Sequence, residues 1–249
     1  MKDSVSRWNA RSADYARFRP SYPAALIDAI FKGMGAVETL RVVDVGAGTG
    51  ISSRMLLERG AQVLAVEPNA EMRAEAAQSG LDVRDARADA LGLPAAVADV
   101  VTCFQAFHWF ANAEAVRELV RVLRSGGRLA IVFNERDDNE PFTRAYGQAV
   151  DNMRDRMAIA GYRNGSEIVR RLLIDGGLQQ LRLESFGHSQ RLDYEGVLGR
   201  LRSTSYAPPA GTPEHAALLE QVTRAFETFA QDGKIAFALR SDVYLGEKA

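Results

Sequence analysis

Arg41-Val42-Val43-Asp44-Val45-Gly46-Ala47-Gly48-Thr49-Gly50 is the stretch on which the fold turns. Three valines in five positions make a short strand apolar enough to be buried on both faces. Glycines at alternate positions then let the backbone turn sharply and approach a ligand closely. Past Gly50, Ile51, Met55 and Leu56 recur at helical spacing until Gly60 stops the pattern. Strand, glycine turn and helix in that order begin a βαβ unit. The same rhythm continues outward, with strands expected at 62–67, 98–104 and 128–134. Between the last two lies a helix over 114–124, where Val116, Leu119, Val120 and Leu123 share a face, closed by the turn Ser125-Gly126-Gly127. A further helix at about 23–34 precedes the first strand. Repeated strand–helix alternation predicts an α/β fold, a doubly wound parallel sheet with helices on both faces.

After Asn134 the rhythm loosens. Residues 135–166 are charged and carry no strand signal. A helix is expected near 167–174, strands near 181–186 and 235–245, and an amphipathic helix containing Leu218, Val222, Phe226 and Phe229. The chain therefore reads as a single domain over 1–249, with an N-terminal strap and helix in 1–36 and cap helices in 135–233 set around the last strands.

Composition narrows the partners. With 249 residues and 47% hydrophobic content the chain can bury a sizeable core. Its 31 basic and 32 acidic residues leave a net charge of −1, so nothing electrostatic favours nucleic acid or a membrane surface. Arginine outnumbers lysine 27 to 4. The lone Cys103 excludes an internal disulfide, and His188 and His215 have no ligand-like spacing, so no metal site is expected. No signal-like leader and no apolar run of about 20 residues is present, which points to a cytoplasmic location.

The glycine turn limits the ligand. A nicotinamide-type turn of the form G-x-G-x-x-G fails here, because Ile51 stands where the third glycine belongs. Asp44 would face a pyrophosphate unfavourably yet suits a ligand carrying an ammonium and a sulfonium. Asp44-x-Gly46-x-Gly48-x-Gly50 resembles motif I of the class I S-adenosylmethionine-dependent methyltransferases, of the type 11-like group. Further matches follow in chain order. Glu67 resembles the acid on the ribose hydroxyls, Asp89 the acid that accepts from the adenine amino group, and Leu123-Arg124-Ser125-Gly126-Gly127 the turn before the fifth strand. Ala88, Ala95 and Ser125 depart from the commonest residues there. Tyr15-Ala16-Arg17-Phe18-Arg19-Pro20-Ser21-Tyr22-Pro23 and Gln105-Ala106-Phe107-His108-Trp109-Phe110 are similar to relatives of trans-aconitate methyltransferase.

The resemblance implies a Rossmann-like seven-stranded sheet with an antiparallel terminal strand and a helical cap. It also implies S-adenosyl-L-methionine as cofactor, held by Tyr15, Arg19, Asp44, Gly46, Ala47, Gly48, Gly50, Glu67, Pro68, Asp89, Ala90 and Gln105. The acceptor expected is a small molecule, a carboxylate or a hydroxyl, with Trp109, Arg202 and Tyr206 as its contacts. Arg202 is singled out because it stands beside hydroxyl residues in Arg202-Ser203-Thr204-Ser205-Tyr206, in a region that also holds Arg136, Arg144, Tyr146, Tyr162 and Arg163. Two roles stay open for His108, a general base or a wall of the pocket. Two other functions stay open as well, a silent S-adenosylmethionine binder and a nicotinamide-dependent oxidoreductase.

Overall fold

A computed structural model of the chain describes residues 17–156, 165–204 and 207–249. Tyr15, Tyr162, Arg163 and Tyr206 lie outside the described residues. Seven strands form one sheet: β1 Arg41–Val45, β2 Gln62–Val66, β3 Val83–Arg84, β4 Ala98–Phe104, β5 Leu123–Arg136, β6 Leu178–Leu192 and β7 Ile235–Lys248, in the order β3-β2-β1-β4-β5-β7-β6. The strands from β3 to β5 pair in parallel. β7 runs antiparallel to both neighbours. The expected sheet with its antiparallel last strand is therefore present.

Eight α-helices longer than one turn are described: α1 Ala24–Phe31, α2 Ile51–Glu58, α3 Ala70–Gln78, α4 Ala113–Val122, α5 Pro141–Arg156, α6 Gly165–Asp175, α7 Tyr194–Arg202 and α8 Pro213–Phe229. Side chains of β1 and β4 alternate between two layers, as the period of two requires. Val42, Val100 and Val132 pack with Leu26, Ile30 and Leu56 of α1 and α2 on one face. Val43, Val101 and Ile131 pack with Val116 and Leu119 of α4 and Leu173 of α6 on the other.

A third cluster forms the cap. Phe142 and Tyr146 of α5, Val197 and Leu201 of α7, and Leu218 and Val222 of α8 close around Ile235, Phe237 and Leu239. Those last three residues belong to the first half of β7, whose second half supplies Val243 and Leu245 to the layer packed on α1 and α2. α6 does not join the cap, although it falls within the stretch expected to build it. Its buried Val169 and Leu173 match the apolar side of α4 instead. The 125–127 turn is also displaced: it is an irregularity inside β5, whose pairing jumps from Ala98 with Leu123 to Val100 with Arg128.

Candidate functional site

β1 is flanked by β2 on one side and β4 on the other, so successive connections leave it in opposite directions. A crevice opens there, at the carboxyl ends of the strands, where ligands of open α/β sheets bind. The crevice is lined by the turn Gly46–Thr49, by Glu67, Pro68 and Asn69 after β2, and by Asp89, Gln105 and Trp109. Arg19 and Arg200 close it from the strap and from α7.

The turn is shaped by its glycines, each for its own reason. Gly46 has φ +73°, and a Cβ there would stand 2.5 Å from the Cβ of Ala106. Gly50 has φ +82° and would collide with Leu81. At Gly48, with φ +58°, the nearest atom to an added Cβ is Met72 Sδ at 3.8 Å, so the space beside it is open. The turn's amides are already committed. Gly46 N and Ala47 N donate to Val66 O at 2.8 and 3.0 Å, and Gly48 N donates to Glu67 Oε2 at 2.9 Å. A dinucleotide-binding turn would aim such amides at phosphate. Here the crevice receives the Glu67 carboxylate in their place, a setting for hydroxyls and positive charge.

Glu67 is 8% exposed and bridges two loops, its other oxygen accepting from Asn69 N at 2.8 Å. Burial raises its carboxyl above the usual carboxylate range, against the pull of those two amides and of Arg73. Each carboxylate oxygen has a second lone pair, so the group can still accept from a diol. Asp89 lies on the rim, paired with Arg87 at 3.2 Å, and that hydrogen bond lowers its carboxyl. Ala86, Ala88 and Met72 supply the apolar wall beside it. Ala90 is exposed and is not among the lining residues.

The structure does not bring Asp44 to the crevice surface. It is fully buried on the α2 face of the sheet, opposite its register partner Thr102. Thr102 Oγ1 donates to Oδ1 at 2.7 Å, and Ser52 Oγ and Ser53 Oγ both donate to Oδ2 at 2.6 Å. Burial raises its carboxyl despite these three hydroxyls. Asp44 thus ties the first turn of α2 to β1 and β4, and the alternation of β1 explains why: Val43 and Val45 take one face, Asp44 the other.

Gln105, at φ +51°, joins the ends of β4 and β5 through both amide atoms, Nε2 to Asn134 O at 3.1 Å and Oε1 from Asn134 N at 3.0 Å. His108 lies beside the crevice wall and packs against Trp109 and Phe133, with ring centroids 4.9 and 6.2 Å apart. Burial, with the nearby charge of Arg19, pushes its pKa down to about 4. His108 is not among the residues that line the crevice, whereas its neighbour Trp109 is.

On the acceptor side the outcome differs from the sequence expectation. Arg202 is exposed, bonded to Glu195 Oε1 at 2.7 Å, and is not among the lining residues. Two residues earlier, Arg200 is 8% exposed and does line the crevice. A shift of two residues turns a helix by about 200°, so only one of the pair can face inward. The signal was present in the sequence: Val197 and Leu201 mark the buried face of α7, and residue 200 shares it. Arg19 lines the crevice, its Nη2 donating to Ser203 O at 2.9 Å. Arg136 and Tyr146 are otherwise employed, Arg136 in an ion pair with Asp151 and Tyr146 in the cap core. Among the described residues no group of His, Cys, Asp and Glu could hold a metal ion, and no helix is long and apolar enough to cross a membrane.

Comparison with known proteins agrees with this geometry. Residues 43–131 match the family described as a methyltransferase domain. An uncharacterized methyltransferase of Schizosaccharomyces pombe is 26% identical over 242 residues, covering 95% of this chain and 94% of its own. A malonyl-[acyl-carrier protein] O-methyltransferase of Enterobacter lignolyticus is 28% identical over 205 residues, 81% of this chain and 78% of its own. Several other relatives align over little more than half of their own length. The crystal structure of the YcgJ protein of Bacillus subtilis superposes with a TM-score of 0.55 at 21% identity, covering 91% of this chain and 99% of that one.

Proposed function

We propose that the chain is a class I S-adenosylmethionine-dependent methyltransferase, a reading that the methyltransferase-domain match over residues 43–131 supports, and that it methylates a carboxylate or hydroxyl oxygen of a small acceptor held beneath the cap. The observation that carries this reading is the polarity of the crevice. Glu67, Asp89, Arg19, Arg200 and Trp109 all line it. S-adenosylmethionine carries a diol, an amino group, a sulfonium and a carboxylate, and both signs of charge among the lining residues suit it. Two further features accommodate it. The space beside Gly48 is open, and the Thr49 hydroxyl is buried in the crevice wall without a hydrogen-bond partner in the protein.

Under this reading Glu67 accepts from the ribose hydroxyls and Asp89 from the adenine amino group. Gly46, Ala47 and Gly48 form the floor, Pro68 and Gln105 flank it, and Arg19 pairs the cofactor's carboxylate. The cofactor supplies a methyl group on a good leaving group: the acceptor oxygen's lone pair forms the new C–O bond as the C–S electrons return to sulfur. An ionised carboxylate needs no base, in keeping with a neutral His108, while a hydroxyl would have to pass its proton to water. Holding both reactants in line can supply about 7–11 kcal/mol of the barrier reduction. The O-methyltransferase among the relatives supports an oxygen acceptor.

Calorimetry with S-adenosylhomocysteine, against NAD(H), tests the cofactor assignment. Glu67→Ala removes charged hydrogen bonds worth about 1.5–3 kcal/mol, a loss of roughly ten- to hundredfold in affinity. Gly48→Arg fills the open space and abolishes binding in a folded protein. Unchanged affinity in both variants, or preference for NAD(H), refutes the assignment. Turnover with labelled donor on carboxylates, phenols and amines tests the acceptor class and separates an enzyme from a silent binder.

A further inference from the structure

We propose that Asn134 is a positioning residue for the cofactor: its side-chain amide holds the strap, residues 17–23, against the sheet and so keeps Arg19 at the crevice. The proposal rests on the methyltransferase reading above and goes on to say what keeps that site covered.

Placement comes first. Asn134 lies near the end of β5, borders the crevice and pairs in register with Ser241 of β7. Its main chain is clasped by Gln105, whose side chain accepts from its N–H and donates to its carbonyl. Gln105 holds a left-handed backbone at φ +51°, a conformation that persists in a non-glycine residue only where the surroundings impose it. The Cα of Asn134 is thus fixed before its side chain makes any contact.

The side chain is oriented by two further strands. Ser241 Oγ, fully buried, donates to Asn134 Oδ1. His188 of β6 places its Nε2 2.9 Å from Ser241 Oγ and 3.3 Å from Asn134 Oδ1. Because the serine's one proton goes to Asn134, the imidazole brings its own proton on Nε2. Both donors meet the amide oxygen, which leaves Nδ2 as the end that reaches the strap, donating to Ser21 O at 3.3 Å. An amide turned the other way would set its oxygen against that carbonyl. Three strands therefore aim one N–H at one carbonyl of the strap.

The strap carries the consequence into the crevice. Arg19, Pro20 and Tyr22 line it, and Ser21 stands between them. On the sheet side Tyr22 meets Phe104 edge-on, with ring centroids 4.7 Å apart. On the cap side Phe18 packs against Gly199, and Arg19 Nη2 donates to Ser203 O. Pro20 and Pro23 restrict the backbone on either side of Ser21, so a hold at Ser21 is passed to Arg19. Ser21 is exposed, and a single uncharged hydrogen bond at such a place competes with water. It can open to release S-adenosylhomocysteine and close again.

The test uses Asn134→Asp, which keeps the shape and the acceptor for Ser241 and His188 but puts an oxygen where the donor to Ser21 O stood. Hydrogen exchange read by mass spectrometry follows the amides of residues 17–23, and surface plasmon resonance gives the rates of S-adenosylhomocysteine binding and release. In the variant, exchange over the strap and the rate of release should both rise at least about fivefold, the size set by one lost uncharged hydrogen bond. The binding rate should stay within about twofold, and exchange in β5 and β7 should match wild type. Ser241→Ala, which removes one of the two donors that orient the amide, should shift strap exchange and release in the same direction by less. The proposal is overturned if strap exchange in Asn134→Asp is unchanged, or if exchange rises equally in β5 and β7, which would make the role structural only. Faster release with an unchanged strap overturns it too, since Asn134 would then touch the cofactor itself, as does a loosened strap with unchanged release. Failure of wild type to bind S-adenosylhomocysteine is a different result: it removes the methyltransferase reading, while exchange in the free proteins still reports whether Asn134 holds the strap.

Discussion

At the scale of single residues, the site separates groups that touch ligand from groups that hold those in place, and the carboxylates show the division. Asp44 and Glu67 are both buried acids at the ends of neighbouring strands, yet only Glu67 lines the crevice. Asp44 satisfies three hydroxyls from two elements. Asp44→Ala leaves those hydroxyls without an acceptor, and we expect a loss of about 3 kcal/mol. That corresponds to about 6–12 °C in melting midpoint for a chain of this size, and calorimetry would read it; a change under 1 kcal/mol would count against the tie between β1 and α2. His108 gives a prediction about pH. Its pKa of about 4 lies below the 6.5 of an unfolded histidine, so the unfolded chain takes up the proton first as pH falls. The stability that the neutral ring contributes is therefore complete above pH 6.5 and is lost progressively between 6.5 and about 4. His108→Gln should show a shallower loss over that window, and its methylation rate should keep the wild-type pH profile between 6 and 9. A profile that flattens in the mutant would restore the general-base role.

At the scale of elements, the strands and their order were legible and several helices were not, for physical reasons. Runs such as Val42-Val43 and Val100-Val101 have one reading in a sheet covered on both faces. α3 was invisible because its buried positions are only Met72 and Ala76 in an alanine- and glutamate-rich segment, leaving no apolar contrast. α5 carries buried Phe142, Tyr146, Ala149 and Val150, a proper helical stripe, but the charges between them concealed it. β3 is two residues long, too short for any period. In the site, the glycine turn, Glu67, Asp89, Gln105 and Trp109 could be read because they follow strand ends. Arg200 follows no strand end, and only its spacing from Val197 and Leu201 puts it on the buried face of α7. That helix supplies a further test. Gly199 packs against the ring of Phe18, and a Cβ at 199 would overlap it. Phe18 precedes Arg19, so crowding there displaces the strap. Gly199→Val should cost about 1–3 kcal/mol through overpacking, and adding Phe18→Ala should restore part of that loss. Additive effects in denaturant unfolding would mean the two residues do not communicate.

At the scale of the whole molecule, distant parts of the chain are joined by buried polar ties as well as by apolar layers. Arg128 of β5 is 5% exposed; its Nη1 donates to Ile30 O and Lys32 O at 2.7 and 2.9 Å, and its Nη2 to Glu247 Oε1 at 2.7 Å. It fastens the end of α1 to the central and final strands. Arg128→Met takes the donor from two carbonyls and leaves Glu247 to its longer contact with Arg182 at 3.4 Å, and we expect a loss of about 3 kcal/mol at neutral pH. The Arg128 hydrogen bond holds Glu247 below the usual carboxylate range. Its share of the stability is present above the unfolded carboxylate value and fades as pH falls through the folded one. The deficit of the mutant should shrink accordingly below about pH 4, and a pH-independent deficit would assign the loss to the carbonyls alone. β7 makes a tie of another kind. Its first half, with Ile235, Phe237 and Leu239, is core for the cap, and its second half, with Val243 and Leu245, is core for the sheet. Phe237 in turn carries the guanidinium of Arg200. A slip of one residue in the ladder between β5 and β7 would turn every one of these side chains to the opposite face. The aim of the acceptor pocket is thus inherited from the alignment of two backbones. Divergence that altered only loops would change what fits in this crevice while leaving that aim untouched.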